Sequence, residues 1–171
     1  MGLGGRVDVS NVLFLCTGNS ARSLLAERMI SDLSEGRFRG FSAGSHPAGR
    51  PHPIALEVLR ERGHDVVGCR SKSWNEFAGP GRPLFAFVFT LCDDAEQETC
   101  PVWPGRPANA HWGIEDPAAC TGDDDEVRRA FRQAYDTLWR RIELFLDLPF
   151  EELGEDELVL RLQAIGRLDD D

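Results

Sequence analysis

Val12-Leu13-Phe14-Leu15-Cys16-Thr17-Gly18-Asn19-Ser20-Ala21-Arg22-Ser23 is the stretch that decides the fold. Four consecutive apolar residues read as a strand covered on both faces, as in the middle of a parallel sheet. The run ends on Cys16. A short loop with Gly18 and Asn19 follows, with Ser20 as the expected N-cap of a helix. That helix runs to about Ser34, with Leu24, Leu25, Met29, Ile30 and Leu33 on one face. A strand, a tight loop and a helix in immediate succession make a cradle for a tetrahedral anion, because loop amides and the helix dipole point at the same place. Thr17, Gly18, Asn19, Ser20, Ala21, Arg22 and Ser23 are the oxyanion-binding residues on this reading, with Arg22 gripping two oxygens in a bidentate fork. Cys16 is the nucleophile. Positive surroundings are expected to lower its pKa, and the Ser23 hydroxyl to donate a hydrogen bond to its thiolate. The competing reading is an inert cysteine packed like a small hydrophobe at a strand end.

Outward from this stretch, strands and helices alternate. Phe38 to Ala43 reads as a strand, Ile54 to Arg62 as a helix stopped by Gly63, and Leu84 to Thr90 as a second strongly apolar strand ending at Leu91-Cys92. Asp65 to Val67 reads as extended and Ser71 to Phe77 as a short helix. Residues 93–107, with acids, Cys100 and three prolines, read as a loop, and Ala110 to Ile114 as an edge strand. Asp123 to about Leu148 is the strongest helix: its acidic start suits the positive end of the dipole, and Val127, Ala130, Phe131, Ala134, Leu138, Ile142 and Phe145 mark its core face. The alternation predicts one α/β domain with a mainly parallel sheet over residues 11–148. It is preceded by a flexible lead-in, residues 1–10. Residues 149–171 follow as an acidic, solvated extension with helical potential through Leu158, Leu162 and Ile165.

The 171 residues suit one domain with a sizeable core, and 42% hydrophobic with 28% charged residues is ordinary for a globular chain. A net charge of −10 argues against nucleic acid or an anionic membrane surface as a partner. No apolar run approaches the roughly 18–20 residues that span a bilayer. The first ten residues lack the apolar core of a secretion signal, so a cytoplasmic location is expected. The five cysteines, Cys16, Cys69, Cys92, Cys100 and Cys120, are an odd set for a disulfide framework and read as catalytic, metal-binding or inert.

Two further groups bear on chemistry. Asp116-Pro117 places a carboxylic acid on a loop where it can protonate a group leaving a tetrahedral centre, or it is simply a turn. Cys92 sits where a strand leaves the sheet, the end at which open parallel sheets bind ligands. Cys100 follows on a loop. By themselves the two are a redox pair, bystanders or half of a zinc site; tetrahedral zinc wants four ligands at short spacing and only His111 is near. His46, His52 and His64 show no metal spacing, and Cys69 and Cys120 have no assigned role.

The segment Cys16-Thr17-Gly18-Asn19-Ser20-Ala21-Arg22-Ser23 resembles the phosphate loop of the low-molecular-weight tyrosine phosphatase family. Phe41-Ser42-Ala43-Gly44-Ser45, Thr90-Leu91-Cys92-Asp93-Asp94-Ala95, Cys100-Pro101 and His111-Trp112-Gly113 with Asp116-Pro117 resemble its arsenate reductase branch in order, from about Asn11 to Leu148. The resemblance implies a four-stranded parallel sheet flanked by helices. It implies arsenate as substrate, Cys16, Arg22, Cys92, Cys100 and Asp116 as catalytic residues, and a Cys16–Cys92–Cys100 disulfide relay. It implies no tightly bound cofactor and an external reductant: thioredoxin, or alternatively glutaredoxin with glutathione. Asn19, Glu27 and Ser42 resemble positions that hold potassium in some relatives, but the Asp expected near Ser71–Ser73 is missing. Ala118-Ala119 follow Asp116-Pro117 where phosphotyrosine-specific members carry aromatic residues. A tyrosine phosphatase and a non-enzymatic oxyanion-binding or redox-sensing module stand as the alternatives.

Overall fold

The computed structural model describes residues 9–79, 81–92, 103 and 105–168. Four parallel strands form one sheet: β1 (Ser10–Cys16), β2 (Phe38–Gly44), β3 (Phe87–Thr90) and β4 (Ala108–His111), in the order β2-β1-β3-β4. β1 pairs with both β2 and β3, Cys16 lying opposite Gly44 and Leu15 opposite Thr90. Its apolar run is buried on both faces, as expected: Val12 and Phe14 enter one hydrophobic cluster, Leu13 and Leu15 the other. The first cluster is covered by α1 (Arg22–Leu33), α2 (Pro53–Glu61), α3 (Asp124–Leu146) and α4 (Glu155–Gly166). The second is closed by Trp74 and Phe77 of a 3-10 turn (Trp74–Phe77), by Phe85, and by Trp103, whose ring meets Phe85 edge-on.

Chain order and strand order reverse direction between β1 and β3. The chain leaves β1 for β2 on one side and returns to β3 on the other, which opens a crevice at the carboxyl ends of those two strands. Cys16 ends β1, and Cys92 lies two residues beyond β3.

Local signals set most boundaries. The Asp123 carboxylate caps α3 by accepting from the Glu126 amide at 2.8 Å, and acids fill its first turn. The His52 ring caps α2 with Pro53 at its first position. Three expectations shift. The apolar run Leu84–Thr90 yields a strand only from Phe87, because Leu84 is exposed and Phe85 turns into the second cluster. The edge strand is Ala108–His111, starting two residues and ending three residues earlier than expected. Asp65 to Val67 forms no strand and leads into a turn with Val67 in solvent.

The residues read as a solvated extension carry α4, whose inner face is docked. Leu162 and Ile165 are buried, and the buried indole of Trp112 donates to the Leu162 carbonyl at 2.9 Å. Gly166 is packed so closely that a methyl group there would stand 2.4 Å from the His111 carbonyl oxygen. Among the described residues no helix is long and apolar enough to cross a membrane. Truncating Leu162 to Ala is expected to destabilise the protein by about 2–5 kcal/mol, read as a lower urea midpoint. A solvated extension would show no change.

Candidate active site

The carbonyls of the loop after β1 are bonded outward. Thr17 accepts from the His46 amide at 2.9 Å, Gly18 from the Ala48 amide at 2.9 Å and the Ser71 hydroxyl at 3.0 Å, and Ser20 from the His52 amide at 2.8 Å. With these carbonyls bonded to segment 45–52 and Ser71, and the Asn19 amide turned to Cys16 Sγ, the loop takes an arrangement suited to anions. Ser20 stays in the loop rather than capping α1. Ala21 is the N-cap and makes no side-chain cap hydrogen bond, and first-turn N–H groups of a helix are a natural anion site. Gly44 lets β2 pass under the loop: a Cβ there would lie 2.4 Å from the Thr17 carbonyl oxygen.

Asn19 holds a left-handed backbone conformation at φ 45°, which asparagine tolerates better than most residues. Its buried side chain sits between two fixed neighbours. Oδ1 accepts from the Lys72 amide at 2.9 Å, and Nδ2 donates to Ser23 Oγ at 2.8 Å. Ser23 Oγ accepts from Asn19 and lies 2.9 Å from Cys16 Sγ; once Cys16 is the thiolate, which has no proton to give, Ser23 is the donor of that bond. The Asn19 amide donates to the same sulfur at 3.2 Å.

Cys16 is buried, and burial pushes its thiol above the ordinary cysteine value, the reverse of the expected depression. The Ser23 hydroxyl opposes this most, then the Arg22 charge and the backbone amides. The cradle therefore supplies the stabilising contacts the sequence implied, but desolvation outweighs them.

Arg22 lies at the cradle mouth. It donates to the Ile114 carbonyl at 3.0 Å and stands 3.6 Å from Asp116. The Asp116 carboxylate is two-fifths exposed and caps a 3-10 turn (Pro117–Ala119) by accepting from the Ala118 amide. Arg22, Cys92, His111, Ile114 and Asp116 line one cavity of about 610 Å³. Cys92 packs against Cys16 in a small buried cluster, and its sulfur lies 3.3 Å from Thr17 Oγ1. Cys16, Arg22, Cys92 and Asp116 are thus brought together. Cys100 lies outside the described residues.

The potassium candidates also converge, but on a side chain. Lys72 Nζ lies 3.3 Å from Ser42 Oγ, 3.5 Å from Asn19 Oδ1 and 3.7 Å from Glu27 Oε1. A metal cation and this ammonium do not fit the same space. Among the described residues no three His, Cys, Asp or Glu side chains form a metal-binding group. His52 caps a helix, and buried His64 bridges Asp32 and Tyr135 at 2.6 Å each, tying α1 to α3.

Two contributors escape the sequence reading. Lys72 is one. Arg141 is the other: it lies within the buried face of α3 and donates to the carbonyls of Trp112 and Gly113, which positions the segment leading to Asp116. Its spacing from Leu138 and Phe145 was the available signal.

The family described as low molecular weight phosphotyrosine protein phosphatase matches residues 11–158. The chain belongs to this family. Within it, the chain is 34% identical over 134 residues to an arsenate reductase of Oceanobacillus iheyensis, covering 78% of this chain and 93% of that protein. It is 32% identical over 136 residues to an arsenate reductase of Bacillus subtilis (strain 168), covering 80% and 94%. Among solved structures it is similar to one described as an arsenate reductase in the phosphate binding state, with TM-score 0.62, 26% identity and coverage of 81% and 97%. A thioredoxin-dependent arsenate reductase of Corynebacterium glutamicum aligns with TM-score 0.53 and 28% identity, over 80% of this chain and 63% of that one.

Removing the Ser23 hydroxyl takes away a donor that favours the Cys16 thiolate. In Ser23→Ala the thiolate midpoint is expected to move to higher pH by about one to two units, the equivalent of a hydrogen bond to a charged group. Absorbance at 240 nm, read as a difference against Cys16→Ser, measures it. An unchanged or lower midpoint contradicts the hydrogen-bond assignment.

Proposed function

We propose that this protein reduces arsenate to arsenite through a thiol and disulfide relay. The observation that carries the reading is the Cys92 sulfur beside the oxyanion loop, packed against Cys16. Ester hydrolysis needs Cys16, Arg22 and Asp116 but has no use for a second sulfur at the nucleophile. The arsenate reductase names of the similar proteins support the same choice.

Arsenate enters the cradle as a tetrahedral oxyanion held by the loop amides and Arg22. The Cys16 thiolate attacks arsenic and forms an S–As bond. One arsenate oxygen leaves as water, taking its proton from Asp116. The anion competes with Asp116 for Arg22 and so loosens the contact that holds the carboxylate in the resting site. The Cys92 thiolate then attacks Cys16 sulfur. An S–S bond forms, the S–As bond breaks, and its electron pair leaves with arsenic, which departs as As(III). Cys100 attacks Cys92 in turn, which releases the Cys16 thiolate and leaves a Cys92–Cys100 disulfide. An external dithiol restores the two thiols, and thioredoxin is the partner this intramolecular disulfide suits. The relay carries oxidation away from Cys16, a residue only 3% exposed and so out of reach of a protein reductant.

In a coupled assay with thioredoxin, thioredoxin reductase and NADPH, Cys16→Ser is expected to abolish arsenite production. Cys92→Ser and Cys100→Ser are expected to lower multiple turnover at least a hundredfold while keeping hydrolysis of an artificial aryl phosphate. Full turnover in both of those variants eliminates the relay. Asp116→Asn is expected to cost about 10²–10⁴-fold in kcat with little change in KM, the usual contribution of a general acid. A change confined to KM assigns Asp116 to binding instead.

A further inference from the structure

We infer that Lys72 is a built-in cation of the oxyanion loop: its ammonium takes the place of a monovalent metal ion behind Asn19, so the loop holds its shape without potassium. Oxygens of four residues converge on Nζ. The Arg70 carbonyl lies at 3.0 Å, Ser42 Oγ at 3.3 Å, Asn19 Oδ1 at 3.5 Å and Glu27 Oε1 at 3.7 Å. Ser42 donates its own proton to Glu27 at 3.1 Å, so its lone pairs face the ammonium. Carbonyl, amide, hydroxyl and carboxylate oxygens converging on one point are the donor set of a hard cation. Here that point is covalently attached to the chain.

Charge and anchoring agree. Glu27 is the carboxylate facing Nζ, and neither side chain is much exposed. The Arg70 guanidinium is held in a paired contact with Glu76 at 2.7 and 3.0 Å. Burial lowers the Lys72 pKa, with the nearby Arg70 charge adding to it, and Glu27 offsets part of that by favouring the ammonium. The base of the side chain is pinned on both sides: the Lys72 amide donates to Asn19 Oδ1, and its carbonyl accepts from the Gly44 amide at 2.9 Å. Lys72 therefore fixes the Asn19 side chain twice, by its main chain and by its ammonium. Asn19 in turn orients Ser23, and Ser23 faces the nucleophile. Lys72 touches no reacting atom; it is a positioning residue.

The test uses melting temperature and affinity for inorganic phosphate, each measured in potassium chloride and in choline chloride at equal ionic strength. It rests on the oxyanion-loop reading and not on the relay. Phosphate binding by the unmodified protein is its control, and the melting arm reads Lys72 even if that control fails. The unmodified protein is expected to behave alike in both salts. Lys72→Ala vacates the cage: in choline it is expected to bind phosphate roughly ten- to a hundredfold more weakly and melt lower, and potassium is expected to restore much of both. Lys72→Met fills the cage with an apolar group and is expected to lose affinity in both salts alike. In Lys72→Ala the Cys16 thiolate midpoint is also expected to rise in choline and fall back in potassium. A specific potassium effect on the unmodified protein overturns the inference. So does a Lys72→Ala protein that matches the unmodified one in choline, or one that potassium does not rescue, whether folded or not.

Discussion

The direction of one side-chain amide governs the site. Asn19 has its oxygen toward Lys72 and its nitrogen toward Ser23, and the reverse orientation would set donor against donor at the Lys72 amide. That polarity passes along the chain of bonds. Ser23 accepts from Asn19, which leaves its own proton available to the Cys16 thiolate. A buried thiolate is costly, and here burial outweighs the contacts that favour it. The loop donors therefore offset only part of the cost of a buried thiolate. A small rotation of Asn19 would cost more than its own hydrogen bonds.

The sheet supplies the other half of the arrangement. β1 is buried on both faces, so it has no freedom to shift register without turning the wrong side chains to each cluster. It delivers Cys16 to a fixed point. β3, its neighbour across the switch in strand order, delivers Cys92 to the adjacent point. Two sulfurs far apart in sequence meet because both strands run the same way and end at the same edge of the sheet. Arg141, reaching from α3 to the carbonyls of Trp112 and Gly113, sets the third side of the crevice by fixing the segment that leads to Asp116.

Much of this was legible in the sequence, where a single local cause dominates. The apolar run of β1, the loop residues Gly18 to Arg22 and the acidic start of α3 each announce their structure within a few residues. The parts that were not legible depend on distant partners. Lys72 lies between two serines in a segment of mixed character, and its meaning comes from residues 27, 42 and 19, which only the folded sheet assembles. Ser20 looks like a helix cap, yet its carbonyl is drawn to His52 and the helix begins at Arg22. The Cys16 pKa was misjudged because charge and dipole are visible in a motif, whereas the depth of burial is a property of the finished core. The helical pattern of α4 through Leu158, Leu162 and Ile165 was legible, but its docking was not, because the surface that buries Leu162 and Ile165 is assembled by distant residues such as Trp112.

That docked helix has a bearing on solubility. β4 is an edge strand. The amides of Ala108 and Trp112 bond inward to the β3 side, so the intervening His111 carbonyl faces the open edge, and Gly166 lies against it. An uncovered edge of this kind offers a ready template for strands of other chains. The C-terminal end of α4, where Arg167 follows Gly166, lies over this edge at the His111 carbonyl and leaves less of it open to such pairing.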